Sequence, residues 1–192
     1  MMNKLTLIIF LASWINSAAQ DLPFKKFQVK EILIDTGVNK QYCKYDLGDF
    51  FFYNGIYENN LKFKIVDKRS NKTVYINSDT LSDAMILKPT FFISADRKWI
   101  IIMVEVAAEY SWGQEILLIK DKKIKYLDYL DYAVDIGNGE SISDYCIFTK
   151  TKDKVYMTFK NVPIIYWPEE SSVINGKDLK FEIDINGIKK IK

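Results

Sequence analysis

The chain has 192 residues, is 48% hydrophobic and 27% charged, and contains no histidine. That balance belongs to a globular protein with a real core, and the missing histidine excludes Ser-His-Asp and Cys-His catalysis and histidine-ligated zinc, iron and copper. A net charge of +2 supplies no general attraction to nucleic acid or anionic membranes.

The N-terminus reads as a secretory signal peptide over residues 1–19. "MMNK" brings one positive charge at Lys4, "LTLIIFLASWI" is an uncharged apolar run, and "NSAA" ends it with small residues. Ser17 and Ala19 fit the −3 and −1 positions of a cleavage site, so the cut is expected before Gln20. The run is shorter than the roughly 20 apolar residues that a bilayer span takes. No later segment is apolar for long enough, so no membrane span is expected after signal removal. The protein is therefore expected to be secreted or periplasmic, with residues 20–192 forming one domain.

The mature chain is strand-like throughout. Aromatic and β-branched residues recur in short runs between charged or Asn/Gly turns. In chain order, "FKKFQVKEILID" and "DFFFYNGIY" are candidate strands. "LKFKIVDKRSNKTVYI" reads as a hairpin turning at Arg69 to Asn71, and "TFFISADRKWIIIMVEV" as a second, turning at Ala95 to Arg97. "EILLIKDKKIKYLDYL" turns at Asp121-Lys122 and "YCIFTKTKDKVYMTFK" near Lys152-Asp153. "LKFEIDINGIKKIK" closes the chain through Asn186-Gly187, a strong hairpin signal. Little is helical: "YLDYLDYAVDI" reads as strand up to Leu130 and as an irregular loop beyond. Five hairpins predict an all-β fold, a single antiparallel β-sandwich or barrel-like domain, with a small propeller fragment also open. "SADRKWIII", residues 94–102, resembles the S-x-D-G-K-x-I turn of TolB-type propeller blades. The resemblance covers one hairpin, lacks the glycine, implies the hairpin alone and carries no functional residue across.

Cys43 and Cys146 are the only cysteines. Export permits a disulfide between them, closing a loop of roughly 100 residues for about 4 to 5 kcal/mol in the chain-entropy model. Two buried thiols are the alternative, and the spacing does not choose between them.

Carboxylates and aromatics are the remaining candidates for function. "AAEYSWGQEILLI" reads as a strand end, a turn at Tyr110 to Gly113 and a new strand from Gln114. Glu105, Glu109 and Glu115 surround Tyr110 and Trp112 there. A strand over residues 99–109 puts Ile100, Ile102, Val104 and Val106 on a core face and Glu105 on the other. Two acids beside aromatics can serve glycoside hydrolysis, which needs a carboxyl on each side of a sugar ring. A cross-strand ion pair explains the same acids without chemistry. Asp128, Asp131, Asp135, Glu140 and Asp144 form an acidic loop without calcium-loop spacing. No cofactor and no metal site are expected. Among the aromatics, Tyr110, Trp112, Tyr166 and Trp167 lie at turn breakers, and with Glu109 and Glu115 they are the candidate binding residues. The expectation is an exported, non-enzymatic β-domain that binds a protein or glycan, such as a periplasmic inhibitor, an immunity-type protein or a cell-envelope interaction protein. The alternative is a carbohydrate-binding or glycoside-processing module using Glu105, Glu109 or Glu115 with Trp112.

Overall fold

The computed structural model describes residues 22–27, 32–35, 41–57, 60–77, 84, 86–108, 111–134, 140–151, 154–166 and 172–192. The expected signal peptide lies outside them, as do Glu109, Tyr110 and Trp167. Two short strands, β1 (Leu22–Pro23) and β2 (Lys25–Phe27), come first. β3 (Ile32–Asp35), β4 (Gln41–Asp46), β5 (Phe50–Tyr57), β6 (Asn60–Asp67) and β7 (Lys72–Ile76) form an N-terminal sheet in chain order. β8 (Ile86–Ile93), β9 (Trp99–Ala107), β10 (Ser111–Lys120) and β11 (Lys123–Leu130) form a central sheet, with β2 beside β8. There follow β12 (Tyr132–Val134), β13 (Cys146–Lys150), β14 (Val155–Phe159), β15 (Pro163–Tyr166), β16 (Val173–Asn175), β17 (Lys180–Asp184) and β18 (Gly187–Lys190). Of these, β13, β14, β17 and β18 make a C-terminal sheet with β1 at its edge, and β12, β15 and β16 a small one.

Every pairing is antiparallel, and the five expected hairpins are present as β6–β7, β8–β9, β10–β11, β13–β14 and β17–β18. The short turns explain why they were readable. Each needs only two to five residues of turn chemistry between runs of β-favouring side chains.

The layering departs from the expectation of a single sandwich or barrel: among the described residues there are four sheets, and none of them closes. All nine residues of β9 are buried. Ile100, Ile102, Val104 and Val106 pack with Phe52, Phe63 and Ile65 of the N-terminal sheet. Trp99, Ile101 and Met103 pack with Phe148, Val155, Met157 and Phe181 of the C-terminal sheet. The middle of the central sheet therefore has no solvent face and is covered by a sheet on each side, giving three layers and two cores. A near-continuous apolar run is what a strand covered on both faces requires. β1 and β2 tie two of the layers together: Leu22 pairs with Lys150, Lys25 pairs with Ile93, and the Phe24 N–H donates to the Phe148 carbonyl at 3.0 Å.

"DFFFYNGIY" divides by face. Phe50 and Phe52 enter the core, Phe52 stacking on Phe63 with ring centres 5.4 Å apart. Phe51 is half-buried on the outer face, where the ammonium groups of Lys44 and Lys68 lie 3.6 and 4.4 Å from its ring centre. The cysteines are not bridged. Cys146 is buried in the core between the central and C-terminal sheets, whereas Cys43 packs against the other core. Burial pushes the Cys146 thiol well above its ordinary pKa, which leaves it unreactive.

Candidate functional site

Trp112 is not a projecting turn residue. β9 ends at Ala107 and β10 already begins at Ser111, so Trp112 lies within a strand, at a bulge where the register shifts between Ser111 and Gly113. It is half-buried and packs against the core between the central and N-terminal sheets. Tyr166 is half-buried too, stacked on Tyr132 at 4.8 Å with the Lys190 ammonium 5.9 Å from both rings.

The two described glutamates of this region separate. Glu105 pairs with Gln114 and shares the face of Met103, toward the C-terminal sheet. Glu115 pairs with Val104 and shares the face of Leu117, toward the N-terminal sheet. Carboxyls on opposite faces of one sheet cannot flank one sugar ring, so this pair does not supply the geometry that glycoside hydrolysis needs. Lys88 stands directly across from Glu105 on β8, the position foreseen for a cross-strand partner. Among the described residues no group of three His, Cys, Asp or Glu side chains is placed to hold a metal ion. Asp144 instead caps the 3-10 turn at Ile142–Asp144 through the Ser141 N–H and pairs with Lys26.

Glu115 is a perturbed carboxyl of the region. Burial raises its pKa, the Tyr126 hydroxyl opposes this by donating to the carboxylate, and Asp128 adds a further rise. No cation pairs with it among the described residues. Burial also pushes the Tyr75 and Tyr129 hydroxyls up to about 12, with the charge of Glu115 contributing to each and that of Asp131 to Tyr129. The folded state thus holds a proton on Glu115 more tightly than the unfolded chain does. This contribution to stability is complete below the ordinary carboxyl pKa and is lost as pH rises through the higher folded value. Glu115→Gln keeps an acceptor for Tyr126 and abolishes the titration. The variant is expected to gain stability relative to the parent as pH rises above the ordinary carboxyl range, read in urea titrations. A difference that does not change with pH would refute the assignment.

A cleft lies elsewhere, at the end of the molecule where the hairpin turns gather. The Asp121 N–H of the β10–β11 turn donates to the Lys98 carbonyl of the β8–β9 turn at 3.4 Å. Lys122 of the same β10–β11 turn reaches Asp49 of the β4–β5 turn at 3.3 Å. Lys150, at the β13–β14 turn, pairs with Asp96, and Lys125 donates to the Ile185 and Asn186 carbonyls of the β17–β18 turn at 2.6 and 2.8 Å. Between the N-terminal and central sheets this end opens into a cleft of about 750 Å³. Its floor is apolar, with Leu47, Phe50, Ile93, Ile100 and Ile119, and its rim carries Lys25, Arg97, Lys98 and Lys122. A second hollow of about 400 Å³ shares Gly48, Asp49 and Lys122 with it and adds Lys68 and Arg69.

The blade-like turn forms one wall. The Trp99 N–H donates to Ser94 Oγ at 3.0 Å, Ser94 Oγ donates to Asp96 at 2.6 Å, and the Arg97 N–H donates to the Ser94 carbonyl at 2.8 Å. Burial works against the Asp96 charge, but hydrogen bonds from Lys150 and Ser94 hold the carboxyl down to about 2. Arg97 occupies the place of the glycine in the S-x-D-G-K pattern and adopts φ +56°, the left-handed region in which glycine is free of strain. Lys122 does likewise at φ +64°, in the second position of a two-residue hairpin loop that favours glycine. Their turns were readable as turns. The cleft was not, because it depends on two hairpin ends from different sheets lying side by side. No protein-family model matches the chain, and neither a curated protein nor a solved structure matches it.

Proposed function

We propose that the chain is an exported, non-enzymatic β-domain that binds a macromolecular partner through the cleft between the turn ends of the N-terminal and central sheets. The observation that carries this reading is the cleft itself: an apolar floor of Leu47, Phe50, Ile93, Ile100 and Ile119 under a charged rim in which Lys25, Arg97, Lys98 and Lys122 stand beside Asp46, Asp49 and Asp121. Apolar surface at the centre with charge at the edge is the anatomy of an interface. In its wall Ser94 and Asp96 are engaged in capping the β8–β9 turn, and Asp46 and Asp49 are held in ion pairs. Export rests on the N-terminal charge, apolar run and small-residue order. A cell-envelope interaction protein or a periplasmic inhibitor of the immunity type fits both features.

Position-specific photocrosslinking tests this. A photoreactive residue at Lys98, on the cleft rim, should give a discrete adduct with a component of the secretory or envelope fraction. The same residue at exposed Lys160, just after β14 of the C-terminal sheet, should not. Equal adducts at both positions, or none at Lys98, would refute the cleft as the binding face. Mass spectrometry of the exported protein should find Gln20 at its N-terminus.

A further inference from the structure

We infer that the segment seated in this cleft is an acidic polypeptide that alternates carboxylates with apolar side chains. The inference rests on the cleft being the binding face and goes on to state the partner's chemistry.

The charges lining the two hollows are unevenly satisfied. Of the acids, Asp46 is taken by Lys68 and the Gly48 N–H, Asp49 by Lys122, and Asp67 by the hydroxyl and N–H of Ser70. Asp67 and Asp121 have no cation partner among the described residues. Of the cations, Lys25, Arg69, Arg97 and Lys98 have no carboxylate partner among the described residues. Four cations without a carboxylate partner against two acids without a cation partner leave a surface that calls for about two negative charges, a complementarity that steers association and sets register. The floor selects further. Leu47, Phe50, Ile93, Ile100 and Ile119 offer nothing to a plain polyanion, which would leave them wet, whereas Leu or Phe side chains of a peptide would cover them.

The backbone supplies a second line of argument. Asn71, Arg97, Asp121 and Lys122 are the non-glycine residues given a positive φ, at 54°, 56°, 48° and 64°. Asn and Asp tolerate this region, but Arg and Lys rarely occupy it. Strain retained where glycine would relieve it points to a use for the side chain. The two residues so held are both cations, and both line the cleft.

The test therefore uses variants that should fold better and bind worse. Arg97→Gly and the pair Arg97→Gly/Lys122→Gly should raise Tm, by roughly 2 to 6 °C for the pair. Fluorescence anisotropy would follow binding of a short labelled Leu/Glu peptide, its Leu/Gln counterpart and heparin. The expected result is binding of the Leu/Glu peptide that weakens as salt rises. Binding of the Leu/Gln peptide should be at least about ten-fold weaker, as should binding of the Leu/Glu peptide to the paired variant. Equal binding of the two peptides, unchanged binding by the stabilised variant, or heparin binding as tight as that of the Leu/Glu peptide would overturn the inference. A crosslinked partner at Lys98 without acidic-peptide binding would defeat the acidic chemistry and leave the cleft as the interface. Absence of both would defeat both.

Discussion

Ile101→Ala and Ile102→Ala are each expected to destabilise the protein by about 2 to 5 kcal/mol, the range for truncating a buried Ile or Leu. The two residues are adjacent in β9, and both are fully buried. Ile101 belongs to the core shared with the C-terminal sheet, and Ile102 to the core shared with the N-terminal sheet. In a two-layer sandwich one of two neighbouring strand residues faces solvent, and its truncation costs little. Here each removal leaves a cavity in a different core. Urea unfolding of the two single variants gives the comparison, with m-values checked to confirm that the unfolded states match. If either variant stays within about 0.5 kcal/mol of the parent, a surface-like cost, the three-layer arrangement is wrong. The double variant should lose nearly the sum, because the two cavities open on opposite sides of the sheet and share few neighbours.

Gly113→Ala is expected to cost about 3 kcal/mol, at the upper end of ordinary overpacking. A Cβ at this position would stand 2.4 Å from the Leu130 carbonyl oxygen and 2.8 and 2.9 Å from the Oη and Cζ atoms of Tyr129. The nearest obstacle is backbone, so the clash cannot be relieved by a rotamer change. Moving Leu130 would disturb the Gln114–Leu130 pairing of β10 and β11. Tyr129→Ala in the Gly113→Ala background should therefore recover only part of the loss, which a double-mutant cycle resolves. Full recovery would mean that the ring, not the backbone, sets the need for glycine. This residue also explains the position of Trp112: the bulge beside Gly113 turns the indole toward the core between the central and N-terminal sheets.

The sequence was legible where structure is local. Asp121-Lys122 and Asn186-Gly187 marked their turns, and the end of a strand at Leu130 was placed correctly, but the irregular loop expected after it was not, since β12 begins at Tyr132. The two faces of β9 were assigned correctly, but the full burial of the second was missed for an instructive reason. Period-two alternation was read as one core face and one mixed face, but "WIIIMVEVA" is apolar on both, which is the mark of a strand in a middle layer. The acids of "AAEYSWGQEILLI" seemed to cluster because they are close in sequence. Glu105 and Glu115 are brought alongside by the β9–β10 pairing, yet alternation sends them to opposite sides. For Cys43 and Cys146 the long interval between them carried no information about distance, and they belong to separate cores.

Strand identity, hairpin pairing and the exclusion of histidine chemistry follow from the residues alone, because propensity, turn chemistry and side-chain inventory act over a few neighbouring positions. The stacking of three sheets, the separation of the glutamates and cysteines, and the cleft that joins Arg97 and Lys98 to Lys122 come from tertiary packing. They depend on which apolar faces bury one another, and segments distant along the chain settle that together.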